Sequence, residues 1–111
     1  MRPYVPKQGD FIAVTFDPHP GHEQRGRRPA LVVSRTQFNE HTGLAIVCPL
    51  TSKDLRFPFH VAVPDHPEVA GFVMVEQVKS IDYRARKARL IGSASQEVLE
   101  EVLSILDACI Y

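Results

Sequence analysis

The chain predicts a mainly β (α+β) fold, a small twisted antiparallel barrel with one amphipathic helix laid against it. Three observations predict it. Its 111 residues leave room for one domain and one modest core. Most of the chain reads as short apolar runs separated by proline, glycine and polar turns, the pattern of successive short strands. From residue 98 onward the apolar residues fall into a helical repeat and keep it to the end. No internal repeat, second domain or low-complexity segment is visible, so residues 1–111 are read as one domain.

Lys7-Gln8-Gly9-Asp10 is a turn into the first strand. In residues 11–16, Ile12, Val14 and Phe16 share one face by period two. Asp17-Pro18-His19-Pro20-Gly21 ends that strand, because proline removes a ladder donor and fixes φ. A charged loop runs from there to Arg28. Pro29 marks the entry to residues 30–33, a continuous apolar run suited to a central strand. Residues 35–42 are polar around Phe38 and suit a short helical turn, which Gly43 ends. Residues 44–50 are a third strand, and residues 51–56 a second polar loop.

Residues 57–63 alternate in strand fashion until Pro64-Asp65-His66-Pro67 breaks them. Phe57 can stack on a base, although Phe57-Pro58-Phe59 also reads as core. Residues 71–75 are a further strand, and residues 76–81 lead away from it. Residues 83–89 are strongly basic, and Leu90-Ile91 is a short last strand. Ser93 and Gln96 then have the spacing of a capping box, with Ser95 as the competing N-cap. Val98, Leu99, Val102, Leu103, Leu106, Cys109 and Ile110 recur at helical spacing. Glu97, Glu100 and Glu101 sit near the start, where the helix dipole favours negative charge.

Composition is that of a globular protein, 44% hydrophobic and 23% charged. Formal net charge is zero, so any polyanion must be held by a local patch. The two cysteines, Cys48 and Cys109, lie far apart among apolar neighbours and form no ligand pair. They are expected to be buried free thiols in a reducing compartment. No apolar run is long enough to span a bilayer, and Met1-Arg2-Pro3-Tyr4-Val5-Pro6 lacks a signal segment. A cytoplasmic protein with no membrane partner is expected.

The chemistry concentrates in Gly21-His22-Glu23-Gln24-Arg25-Gly26-Arg27-Arg28-Pro29-Ala30. A carboxylate, an amide and three guanidinium groups lie here between two apolar strands, where a rigid scaffold usually presents function. RNA transesterification needs such groups. A base takes the proton of the 2′-hydroxyl, that oxygen attacks the adjacent phosphorus in line, and an acid protonates the leaving 5′-oxygen. Glu23 suits the base. Arg28 offers a planar fork of donors that matches phosphate. Thr51, at the head of the other polar loop, offers a hydroxyl to a phosphoryl oxygen. The bland readings are an ion pair between Glu23 and Arg28, and a Thr51 bonded to its own loop. Arg84, Arg86, Lys87 and Arg89 read equally as a charged edge or as an RNA-tracking patch. His19, His22 and Glu23 make a poor metal set, since the prolines and glycine deny them a helix, so no metal and no cofactor is expected.

Gly9-Asp10, Phe16-Asp17-Pro18, Gly21-His22-Glu23-Gln24, Gly26, Arg28-Pro29-Ala30, Pro49-Leu50-Thr51 and Gln77-Val78-Lys79-Ser80 resemble the MazF/PemK/Kid family of toxin endoribonucleases, nearly end to end and in order. The resemblance implies an SH3-like barrel of the CcdB/PemK type, a homodimer, and silencing by a MazE-like antitoxin. It implies metal-independent cleavage of single-stranded mRNA at preferred sequences, leaving 2′,3′-cyclic phosphate and 5′-hydroxyl ends. By motif position Glu23, Arg28 and Thr51 match the catalytic set. Gln24, Arg25, Arg27, Ser52, Phe57, Glu76, Gln77, Lys79, Arg84 and Arg86 are candidate substrate contacts. Glu76 falls where some members place a functional aspartate. Met74 stands where some place a catalytic arginine, which favours the Glu23/Arg28 scheme over one centred on Glu76. The rival is a gyrase-binding toxin of the CcdB kind. Those proteins depend on a tryptophan near the C-terminus, and this chain has none.

Overall fold

The structure is a computed structural model that describes residues 3–16, 27–64 and 66–111. Strand β1 (Asp10–Thr15) is followed by β2 (Arg27–Val32), helix α1 (Thr36–Thr42) and β3 (Leu44–Thr51). Then come β4 (His60–Ala62), β5 (Phe72–Met74), a 3₁₀ turn (Val75–Gln77), β6 (Lys79–Asp82), β7 (Arg89–Ser93) and helix α2 (Gln96–Ile110). All the pairings are antiparallel. The strand order is β4-β5-β3-β2-β1-β7, with β6 also on β3.

Strand β3 organises the rest. Its first half pairs with β6, its middle with β2 and its last two residues with β5. It therefore belongs to both halves of a strongly bent sheet. The period of two then sorts its side chains. Cys48 and Leu50 join a core with Phe11, Leu31, Val61 and Val73, which Val98, Val102 and Leu106 of α2 cover. Ala45 and Val47 face the other way, into a second core with Ile12, Val14, Ala30, Val32, Ile81 and Tyr83. Ile12, Val14 and Phe16 thus lie on one side of β1, as the alternation predicts, with Phe16 partly buried at the edge.

A polar cluster ties the chain's start to this second core. Asn39, fully buried on α1, donates to the carbonyls of Pro6 and Ser34, accepts from the Ser34 hydroxyl, and its carbonyl accepts from the Tyr83 hydroxyl. Each polar atom of its side chain is used, which is what keeps a buried amide from being a penalty. Gly43 ends α1 in the left-handed region at φ 73° and donates its N–H to the Asn39 carbonyl.

Several expectations need correction. Strand β2 starts at Arg27, so Arg27, Arg28 and Pro29 are strand residues rather than loop. β4 is confined to His60–Ala62, and Phe57 and Phe59 are exposed rather than core. Residues 79–82 form a strand, β6, where only a connection was expected. The N-cap of α2 is Ser95, whose hydroxyl accepts from the Val98 N–H, and not Ser93. The buried stripe of α2 ends at Leu106, leaving Cys109 and Ile110 exposed. No helix among the described residues is long and apolar enough to cross a membrane.

Candidate active site

Arg28 is placed by two pairings. It lies opposite Val14 of β1. On its other side, β2 runs against β3 with Ala30 opposite Pro49. Continuing that antiparallel register by two residues brings Arg28 level with Thr51, and residues opposite each other point to the same face. The two side chains do line one cleft of about 450 Å³, together with Pro29, Leu50, Ser52, Lys53 and Ala70. Two residues far apart in sequence are thus brought together by strand register alone.

The cleft suits an anion. Arg28 is exposed, and no hydrogen bond or ion pair among the described residues occupies its guanidinium. Lys53, a cation that motif reasoning did not single out, lines the same cleft. The Thr51 hydroxyl accepts the Lys53 N–H at 3.2 Å, as the bland reading of that residue held. That bond uses only a lone pair and leaves the hydroxyl proton to be donated. Behind Thr51 stands Gly71, at φ 113°. A Cβ there would meet the Thr51 carbonyl oxygen at 2.2 Å, so only glycine lets the two backbones approach this closely. In the sequence Gly71 marks only the start of a strand, and nothing in an isolated glycine signals which backbone it must admit.

The arginines divide into two kinds. Arg27 donates to the Thr15 hydroxyl at 3.1 Å, to the Ala13 carbonyl at 3.0 Å and to the Lys87 carbonyl at 2.9 Å. It braces β1 to the turn before β7, and its fork is committed to the protein. Arg86 likewise donates to the carbonyls of Thr15 and Phe16. Alternation along β2 accounts for the difference: Arg27 and Arg28 point to opposite faces of the strand. Arg84 is exposed in the turn that follows β6. Lys79 is exposed on β6 and holds its ammonium over the Phe16 ring, 5.0 Å from the centroid.

A second group lies on the β4–β5 side. Glu76 sits in the 3₁₀ turn, with Gln77 exposed beside it. The Glu76 carboxylate is 3.0 Å from His60 Nε2, and the His60 ring lies edge-on to Phe57 at 5.2 Å. Ser52 is on the cleft rim, separate from this group. Cys48, buried below, has its thiol pushed up to about 12 by burial and, less strongly, by the negative Glu76. Glu23, Gln24 and Arg25 lie outside the described residues, as do His19 and His22. Among the described residues no group of three or more His, Cys, Asp or Glu side chains is arranged to hold a metal ion.

Comparison with known proteins agrees with this architecture. The family model described as PemK-like, MazF-like toxin of type II toxin–antitoxin systems matches residues 7–110. The chain is 44% identical over 110 residues to the endoribonuclease toxin ChpB of Escherichia coli K12, covering 94% of this chain and 93% of that one. It is 39% identical over 107 residues to the endoribonuclease toxin MazF of the same strain, covering 96% of each. Among solved structures, the MazE–MazF crystal structure (Form-III) from Deinococcus radiodurans superposes with a TM-score of 0.87 at 39% identity, over 96% of this chain and 97% of that one. The match runs through both halves of the bent sheet and α2, and on that extent the chain belongs to the family of PemK-like, MazF-like toxins of type II toxin–antitoxin systems.

Proposed function

We propose that the protein is a toxin endoribonuclease that cleaves single-stranded mRNA at preferred sequences in the cytoplasm, without a metal, and so halts translation and growth. The observation that carries this reading is the convergence of Arg28 and Thr51 on one open cleft. A phosphodiester entering it meets the Arg28 fork and the Thr51 hydroxyl from one side, with Lys53 adding charge. These groups bind where negative charge grows as the 2′-oxygen attacks phosphorus, and preorganised charge of this kind is often the largest catalytic contribution. Glu23 takes the 2′-hydroxyl proton. Arg28 also relays a proton as the 5′-oxygen leaves, since that oxygen becomes strongly basic at that moment. The products are a 2′,3′-cyclic phosphate and a 5′-hydroxyl.

The protein acts as a homodimer, and an antitoxin of the MazE kind silences it by laying a peptide tail over the cleft. Acidic groups of the tail take the place of phosphates at Arg28, while apolar anchors supply most of the affinity. The decisive experiment is single-turnover cleavage of a short RNA with and without chelator, followed by analysis of the new 3′ ends. Cleavage that persists in chelator and leaves cyclic phosphates is expected. 3′-Hydroxyl products would overturn the chemistry, because water would then replace the 2′-oxygen as nucleophile.

A further inference from the structure

We infer that His66 is a positioning residue for cleavage: its imidazole straps the segment that carries Ala70 and Gly71 to strand β7, and so steadies the cleft wall behind Thr51. The inference rests on the RNA-cleaving reading above and adds to it a residue that lies outside the cleft.

Both ring nitrogens are in use. His66 Nδ1 accepts the backbone N–H groups of Glu68 and Val69, each at 3.1 Å. A ring nitrogen that accepts carries no proton, so these partners place the proton on Nε2. Nε2–H then donates to the Ser93 carbonyl of β7 at 3.2 Å. The ring also stands edge-on to Phe11 of β1, with centroids 5.2 Å apart. It lies over Gly92, where an added Cβ would come within 3.0 Å of the ring's Cε1 and 3.1 Å of Nε2.

Only the first of these two tasks is local. Closing the turn needs a short acceptor, and Asn, Asp or Ser in this place would take N–H groups two and three residues on. Pro67 already presets φ for such a turn. The imidazole adds reach. The strand order puts β4 and β5 at one end and β7 at the other, and no ladder among the described residues joins those ends. His66 joins them through a side chain.

The tie bears on the cleft through the residues that follow. Ala70 lines the cleft with Arg28 and Thr51. Gly71 backs the Thr51 carbonyl, and its own carbonyl accepts the Val63 N–H at 2.9 Å. Val69, between His66 and this wall, is 4% exposed in the core beneath α2. The wall is thus anchored by Val69 in the core and by the His66 ring across to β7. The cations of the cleft stand elsewhere, Arg28 on β2 and Lys53 just past the end of β3. Loosening the His66 tie therefore keeps the charge that holds RNA and blurs the alignment of Thr51 with the phosphate. Affinity should persist while the rate falls, because a misplacement of about 1 Å can cost on the order of 10²-fold.

The test is single-turnover cleavage at saturating RNA, read beside urea unfolding and beside affinity for RNA made uncleavable by removing the 2′-hydroxyl at the cut site. His66→Asn keeps an acceptor for the turn and loses the reach to Ser93. His66→Ala loses both. The Asn variant is expected to be clearly more stable than the Ala variant, yet both should cleave roughly tenfold more slowly than wild type with unchanged affinity. Amide exchange at Val63 should quicken in His66→Asn. Gly92→Ala displaces the ring without altering His66, since its Cβ would meet no other described group within 4 Å. It should slow cleavage in the wild-type background and add nothing to His66→Ala. If His66→Asn cleaves like wild type, or Gly92→Ala acts equally in both backgrounds, the positioning role is wrong while the endoribonuclease reading stands. If wild type does not cleave RNA, the endoribonuclease reading falls and takes the positioning role with it.

Discussion

Gly71 lies so close beneath Thr51 that a Cβ on it would sit 2.2 Å from the Thr51 carbonyl oxygen. The contact joins the turn before β5 to the end of β3, and so sets where one wall of the cleft stands. Gly71→Ala is expected to lose both stability and cleavage. The backbone at φ 113° is strained for alanine, and the clash is with main chain that cannot rotate away. A loss of about 2 kcal/mol or more is expected in urea unfolding. Gly43→Ala is the control, because φ is 73° there and a Cβ would meet nothing within 4 Å. It should cost only about 1 kcal/mol, the strain of a left-handed alanine, and leave cleavage intact.

Arg27 and Arg28 are adjacent and should respond oppositely to removal. Arg27→Ala breaks the hydrogen bonds to Thr15, Ala13 and Lys87. It should cost about 1–3 kcal/mol of stability. Arg28→Ala should leave the unfolding midpoint near wild type and reduce cleavage severely. Arg28→Lys keeps the charge, loses the fork, and should remain badly impaired. Equal melting temperatures for the two alanine variants would refute the assignment of Arg27 as a brace.

For the chemistry itself, Glu23→Gln keeps shape and removes the base. Its cleavage rate is expected to fall by roughly 10²–10⁴ with unchanged affinity for uncleavable RNA. Thr51→Val should do less harm, since one neutral hydrogen bond to the phosphate is lost. Full activity in Glu23→Gln under single-turnover conditions would take that residue out of the mechanism.

The two thiols should separate cleanly. Burial pushes Cys48 up to about 12, so at pH 8 its thiolate is scarce, and the side chain is also inaccessible. Cys109 is exposed. A thiol reagent at pH 8 should label one equivalent at once and the second only on unfolding. The linkage sign is fixed by the direction of the shift. The folded chain keeps the Cys48 proton above the pH at which the unfolded chain releases it, near 8.5 for a free thiol by an approximate reference value. The thiol's contribution to stability is therefore intact below that pH and lost as pH rises towards about 12. Cys48→Ser should mute this alkaline slope in pH-dependent unfolding.

Much of the fold was legible because apolar periodicity reports directly on which face a side chain occupies. Ile12 and Val14 announce one face of β1, and Val98, Val102 and Leu106 the buried stripe of α2. β6 was not legible. It has a single buried apolar residue, Ile81, among Lys79, Ser80 and Asp82, and exists because β3 offers it a free edge. The cap of α2 was ambiguous because serines occur at both 93 and 95, and only the turn geometry distinguishes them. In the site, motif and residue chemistry pointed to Arg28 and Thr51. Whether a guanidinium is spent on carbonyls or left to a ligand depends on which strand face it leaves, so Arg27 and Arg86 could not be separated from Arg28 by charge alone.

Thr51 closes a strand that is hydrogen-bonded to three others along its length. Local fraying there would break both halves of the sheet, so amide exchange at Cys48 and Leu50 should proceed only through global unfolding. A wall of this kind does not yield to an effector that pulls on it. On the reading proposed above, an antitoxin restrains this toxin by covering the cleft, and the speed of release is then set by how fast the cover is removed or destroyed.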